Sequence, residues 1–186
     1  MRLLLGVTGG IAAYKAADLT SKALKAGFEV RVMMTPSATR FVGPLTFEGL
    51  TGQPVFVDVL GTGADAEGSS AVRHISWARW PDVVMVAPLS MSTLGKLAVG
   101  IADNALLTVV HALEPEIPVL LAPAMNTQMW DHPTTQRNLR WLEETGRYRI
   151  VAPTSKRLAC GEVGVGGLAE VPDLLAAVQE AAGQGR

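Results

Sequence analysis

IPVLLAPAMNTQMW, residues 117–130, changes character halfway along. Residues 117–121 are a short apolar run of the kind that suits a strand buried on both faces of a parallel sheet, and the run stops at Pro123. A loop therefore opens at the carboxyl end of that strand, the edge at which open α/β sheets bind their ligands. The loop carries a side-chain amide (Asn126), two thioethers (Met125 and Met129) and an indole (Trp130). Taken alone, these residues fit either a ligand loop or a turn whose Met and Trp simply pack.

The same motif of strand and polar turn recurs outward from this point. Residues 2–7 form an apolar run followed by Gly9 and Gly10, and residues 11–26 are an Ala-rich helical stretch. Glycines let backbone N–H groups approach an anion while the helix start adds partial positive charge, so this unit reads as a phosphate cradle. It is not a G-x-G-x-x-G fingerprint, and no acidic residue ends the second strand to hold a ribose diol. A mononucleotide fits better than a dinucleotide. The second strand, residues 28–34, runs into Thr35-Pro36-Ser37, whose hydroxyls can serve a ligand or cap a helix. The third, residues 82–87, runs into PLSMST, where Ser90, Ser92 and Thr93 can donate to a ligand. Residues 148–151 make a fifth strand. Five strands alternating with helices define a three-layer α/β fold, Rossmann-like in the flavodoxin manner, with a parallel sheet covered by helices on both faces.

Between the second and third strands, residues 44–52 read as a helix and GTGADAEGSS as a mobile surface loop. His74 then heads a short amphipathic segment in which Trp77 and Trp80 are expected to pack. Asp103 is the expected cap of a helix beginning near IADNALL. Residues 133–144 form an amphipathic helix with His132 and Arg137 read as solvated, and residues 172–182 a closing helix. LACGEVGVGGLAE is too Gly-rich for a regular element and too apolar for disorder, and is read as a flap.

Composition narrows the function classes. The chain has 186 residues, 48% of them hydrophobic, enough for one well-buried domain and short for two. Sixteen basic against seventeen acidic residues give a net charge of -1, which offers no electrostatic handle for nucleic acid or an anionic membrane. Apolar runs all break well short of the roughly 20 residues of a membrane span. The single cysteine, Cys160, leaves no internal disulfide and no Cys-rich metal site, in keeping with a reducing cytoplasm.

Pro123, Met125, Asn126, Met129 and Trp130 reproduce a Pro-X-Met-Asn-X-X-Met-Trp string, and Ala159-Cys160-Gly161-Glu162-Val163-Gly164-Val165-Gly166 an Ala-Cys-Gly-Asp/Glu-x-Gly-x-Gly string. Both resemble the flavin-containing cysteine decarboxylases, and the likeness covers nearly the whole chain. It implies one FMN-binding decarboxylase domain over residues 1–186, with no ligase domain, acting on phosphopantothenoylcysteine in coenzyme A synthesis. It also implies that FMN is held by Gly9, Gly10, Ile11, Thr35, Ser37, Ser90, Met91, Ser92, Thr93 and Ala124. Met125, Asn126, Ala159 and Gly161 would touch the substrate. His74, Asn126 and Cys160 would be catalytic: His74 takes a proton in the oxidative half, Asn126 orients the carboxylate, and Cys160 returns a proton at the end. A cytoplasmic homo-oligomer built from trimers, up to a dodecamer, with a small-molecule substrate and no nucleic-acid, membrane or metal partner, completes what the resemblance implies.

Two departures stand out. The family's Pro-Ala-Ser-Ala-Asn-Thr loop is here Pro88-Leu89-Ser90-Met91-Ser92-Thr93, and Gly167 stands where bacterial members often carry Arg. PLSMST is also similar to the Pro-Cys-Ser-Met-x-Thr loop of the flavin prenyltransferases, which share the fold. That activity, a non-catalytic flavoprotein regulator, and a peptidyl-cysteine decarboxylase remain alternatives.

Overall fold

The computed structural model describes residues 1–59, 73–157 and 163–184. The central sheet holds β1 (Arg2–Val7), β2 (Glu29–Met34), β3 (Val83–Leu89), β4 (Val119–Pro123) and β5 (Tyr148–Ile150). All neighbours are parallel, in the order β2-β1-β3-β4-β5. This is the doubly wound flavodoxin-like order, whose direction of winding reverses between β1 and β3. The helices are α1 (Tyr14–Lys25), α2 (Pro44–Thr51), α3 (Arg73–Ala78), α4 (Met91–Ala98), α5 (Ala105–His111), α6 (Thr127–Asp131), α7 (Pro133–Glu144) and α8 (Val171–Gln184).

Strand side chains alternate between two cores, which explains why the strands read as unbroken apolar runs. Leu3, Leu5, Val32, Met85 and Leu120 pack on one face with Leu19 of α1, Phe47 of α2 and Leu174 of α8. Leu4, Met33, Val84, Val86 and Leu121 pack on the other with Trp77 of α3, Leu94 of α4, Leu106 of α5 and Leu139 of α7. Each fully buried aliphatic side chain contributes roughly 1.5–3 kcal/mol. Gly6 lets the second layer come close: a Cβ there would lie 2.9 Å from Leu106 Cδ1. At the opposite end of the sheet, Asp82 joins the starts of β1 and β3 by accepting from the Arg2 backbone N–H and guanidinium, each at 2.8 Å. The Arg2 hydrogen bond holds the Asp82 carboxyl below the usual carboxylate range.

Several expectations are corrected. The stretch expected as one helix over residues 11–26 opens with a tight turn at Ile11–Ala13, closed by the Ala13 N–H on the Gly10 carbonyl, and becomes α-helical at Tyr14. Asn104, not Asp103, caps α5, accepting from the Leu107 N–H at 3.1 Å, while Asp103 pairs with Lys96 at 2.6 Å. His132 is exposed, as expected, and in addition caps α7 through Nδ1, which accepts the Thr134 N–H. Arg137 stacks 4.5 Å over the Trp141 ring and donates to Asn138. The Gly-rich run contains one regular element: β7 (Val163–Gly167), which pairs antiparallel with β6 (Thr154–Arg157) immediately before the run. The packing of the tryptophans is as expected: Trp77 lies 5.0 Å from Phe56, and Arg31 covers both Trp77 and Trp80. GTGADAEGSS lies outside the described residues. Among the described residues, no helix is long and apolar enough to cross a membrane.

Candidate active site

Four adjacent strands, β2, β1, β3 and β4, deliver their loops to one rim, and direct contacts lace neighbouring loops together. A Cβ on Gly9 would lie 2.6 Å from Ser37 Cβ, so the turns after β1 and β2 touch only because residue 9 is glycine. Thr8, fully buried, donates its hydroxyl to the Pro88 carbonyl at 2.7 Å and accepts the Ser90 N–H at 2.8 Å, tying β1 to the loop after β3. The Ala124 N–H donates to the Leu89 carbonyl at 3.0 Å, tying β3 to the loop after β4. The Met125 N–H donates to the Gly166 carbonyl at 2.8 Å, tying that loop to β7.

Within this rim the candidate residues divide by role. No side chain caps the turn that begins after Gly10, no acid sits in its first residues, and a Cβ at Gly10 would meet nothing within 4 Å. Open space before uncapped N–H groups is what an anionic phosphate needs. Thr35 is buried and uses Oγ1 to accept the Ala38 N–H, so it shapes the turn. Ser37 is exposed and makes no cap bond. Ser90 caps α4 by accepting from the Thr93 N–H at 3.3 Å, and Thr93 is buried beneath it. Met91 and Ala124 are half-buried, and Ser92 is exposed.

Asn126 heads α6. Its Oδ1 accepts the Met129 N–H at 3.1 Å, which fixes the carboxamide and leaves the Nδ2 donors without a protein partner among the described residues. His74, the second residue of α3, is half-buried, and its Nδ1 is buried without a hydrogen-bond partner among the described residues. A polar atom so placed costs about 1–3 kcal/mol unless a bound group satisfies it. No hydrogen bond joins His74 to the four loops among the described residues. Ala159, Cys160 and Gly161 lie outside the described residues.

An open cavity of about 480 Å³ adjoins the turn after β2, between Pro36, Val57, Val59, Asn104 and Thr108. Asp58 and Asp103 also line it. Carboxylates at its wall make this cavity a poor host for a phosphate.

Thr8 is the residue that sequence reasoning missed. A hydroxyl between an apolar strand and a glycine pair was its only signal, because Pro88 and Ser90 are some 80 positions away. Thr8→Val keeps the shape but orphans the partly buried Ser90 N–H and leaves the Pro88 carbonyl without the hydroxyl, and is expected to cost about 1–3 kcal/mol of stability and to weaken flavin retention. Thermal melts and flavin titration check this, with Thr8→Ser restoring both.

The Flavoprotein family matches residues 1–183, and the chain belongs to that family. Its relatives are more specific. A probable phosphopantothenoylcysteine decarboxylase of Streptococcus mutans is 41% identical over 179 residues, covering 96% of this chain and 97% of that protein. The coenzyme A biosynthesis bifunctional protein CoaBC of Bacillus subtilis is 45% identical over 173 residues, 93% of this chain and 41% of that protein. The chain thus spans less than half of the bifunctional relative. Among solved structures, a Cys→Ser variant of a PPC decarboxylase complexed with pantothenoylaminoethenethiol superposes with a TM-score of 0.82 at 36% identity, covering 96% of each chain. The FMN-dependent cysteine decarboxylase SpaF gives 0.82 at 34% identity, covering 100% of this chain and 97% of that one.

Proposed function

We propose that this chain catalyses FMN-dependent decarboxylation of phosphopantothenoylcysteine to phosphopantetheine, a step of coenzyme A biosynthesis. The observation that carries the reading is the laced rim: phosphate-ready N–H groups at Gly9-Gly10 and a fixed amide donor at Asn126, on adjacent loops of one sheet edge. Gly9, Gly10, Ile11 and Ser37 would hold the FMN phosphate, and Ser90, Met91, Ser92, Thr93 and Ala124 would border the ring. Bound there, FMN would supply reversible hydride acceptance at the substrate's CH2–SH carbon, giving a carboxylate that otherwise lacks an electron sink somewhere to leave its electrons.

The chain's own groups do the rest. Asn126 Nδ2 donates to the substrate carboxylate and holds its C–C bond ready to break, with Met125 beside it. His74 takes the thiol proton while the carbon beside sulfur is oxidised. Loss of CO2 leaves an ene-thiol, and Cys160 protonates its carbon as the hydride returns, so no net oxidation remains. The ene-thiol ligand named for the Cys→Ser decarboxylase variant supports this assignment of the thiol. Cys160, Ala159 and Gly161 enter from the sequence resemblance.

The deciding experiment adds phosphopantothenoylcysteine to the purified protein and measures CO2 and phosphopantetheine. The protein is expected to be yellow and to release FMN on denaturation. FAD as the chromophore, or no CO2 from a flavin-loaded sample, would overturn the reading.

We also place the enzyme in the cytoplasm as a homo-oligomer built from trimers. Ile11 and Tyr14 are 64% and 61% exposed, and Phe41 and Leu45 on neighbouring elements are 51% and 78% exposed. Apolar groups gathered at the cofactor end of α1 and α2 suit a subunit contact. Sedimentation is expected to give a trimer or a multiple of it, and a stable FMN-loaded monomer would refute this.

A further inference from the structure

The hairpin strand β7 lies on the substrate loop without room for side chains. A Cβ on Gly164 would fall 2.3 Å from Thr127 Oγ1, 3.1 Å from its Cγ2 and 3.2 Å from its Cβ. One on Gly166 would fall 2.4 Å from the Met125 carbonyl oxygen, and Gly166 itself has φ of +134°. The bond from the Met125 N–H to the Gly166 carbonyl runs through the same contact. These glycines serve close approach rather than flexibility.

Across that contact sits α6, a helix of five residues, none of them buried. Its one link to the core is the partly buried Trp130 at its far end, so the near end takes its position from other contacts. Gln136 Nε2 donates to the Trp130 carbonyl at 2.7 Å at the far end. Thr127, the first helical residue and the covalent neighbour of Asn126, meets Gly164 at the near end. Thr127 Oγ1 is buried yet has no hydrogen-bond partner among the described residues, so its protein contact is steric.

We infer that Thr127 and Gly164 are a spacer pair, positioning residues that fix how far the Asn126 carboxamide stands from the sheet rim. This rests on the reading of Asn126 as the holder of the substrate carboxylate. The bulk of Thr127 against the bare Cα of Gly164 sets the distance, and the Met125–Gly166 bond keeps the two surfaces together. Misplacing a positioning group by about 1 Å can cost about 10²-fold in rate.

The test uses the FMN-loaded protein. Gly164→Ala is expected to lower kcat by about 10- to 100-fold while FMN retention changes by less than about twofold, because the phosphate turn at Gly9-Gly10 is untouched and Ala124 is the one ring-bordering residue on this loop. Thr127→Val keeps the bulk and is expected within about twofold of the parent, whereas Thr127→Ala removes it and is expected to lose about fivefold. Combining Gly164→Ala with Thr127→Ala is expected to recover most of the loss, the non-additivity of groups in contact. Hydrogen exchange at the Met125 amide gives a readout independent of turnover: faster in Gly164→Ala and in Thr127→Ala, and parental in Thr127→Val and in the double variant. Loss in Thr127→Val equal to that in Gly164→Ala would make the hydroxyl a ligand contact and overturn the spacer. So would a double variant no better than Gly164→Ala, or Met125 exchange unchanged in Thr127→Ala. If the parent protein itself releases no CO2, the decarboxylase reading fails, and the exchange measurements still decide the spacer.

Discussion

His74→Asn is expected to load FMN as the parent does and to release CO2 from phosphopantothenoylcysteine about 10²–10⁴-fold more slowly, the usual worth of a positioned base. The substitution leaves the fold alone, because α3 is anchored by Trp77 and Ala78 in the core rather than by the half-buried His74. It leaves the loops proposed to hold the flavin alone as well, since Gly9-Gly10, Ser37 and residues 90–93 belong to other elements. What disappears is a basic ring nitrogen, and Nδ1 is buried with no hydrogen-bond partner among the described residues. A carboxamide of similar reach cannot take up a proton near neutral pH. Anaerobic addition of substrate should therefore leave the flavin absorbance of His74→Asn unbleached. Cys160→Ser is the counterpart. A hydroxyl is a far weaker acid than a thiol of ordinary pKa about 8.5, so this variant should bleach and release CO2 yet stall at the ene-thiol. Mass spectrometry should find a product two hydrogens lighter than phosphopantetheine. If both variants lost CO2 release equally, Cys160 would belong to binding or to the first step, and the two roles could not be separated this way.

The sequence carried the strands and the polar turns after them plainly, because a strand buried on both faces leaves a dense apolar run and an abrupt end. Leu3 to Val7 and Val119 to Ala122 are buried throughout, and neither run needed a partner to be read. The rim on which the loops meet followed from the positions of those ends. What escaped was pairwise and distant. Thr8 meets Pro88 and Ser90, and Gly6 makes room for Leu106, contacts that no local pattern encodes. Asp103 and Asn104 are neighbours with nearly equal capping propensity, and only the nearby Lys96 ammonium, which engages the aspartate, leaves the cap to Asn104. The glycines of residues 163–167 concealed β7 for a related reason. Without side chains they give no alternating pattern, so a strand selected for closeness to Met125 and Thr127 looks from sequence like a flexible flap.

Asn126→Asp is expected to separate the two jobs of that side chain, with CO2 release falling by about 10³-fold or more against little change in stability. Asn126 Oδ1 caps α6 by accepting the Met129 N–H. Aspartate matches asparagine as an N-cap and adds a favourable charge at the helix start, so the cap survives and the melting temperature should stay level or rise slightly. The other half of the carboxamide changes sign. Nδ2 has no protein partner among the described residues and is assigned to the substrate carboxylate, but aspartate puts a second carboxylate there. Two like charges about 3–4 Å apart repel strongly in a site sheltered from water, and the donor is gone as well. Asn126→Ala loses both functions, so it should melt lower by the roughly 0.5–2 kcal/mol of a lost cap in addition to losing turnover. FMN retention should be parental in Asn126→Asp, since Gly9, Gly10 and Ser37 are untouched. Calorimetry, flavin titration and CO2 assays on the two variants decide the matter. If Asn126→Asp turned over within tenfold of the parent, the Nδ2 donors would not hold the carboxylate, and the only role left for Asn126 would be the cap that fixes α6.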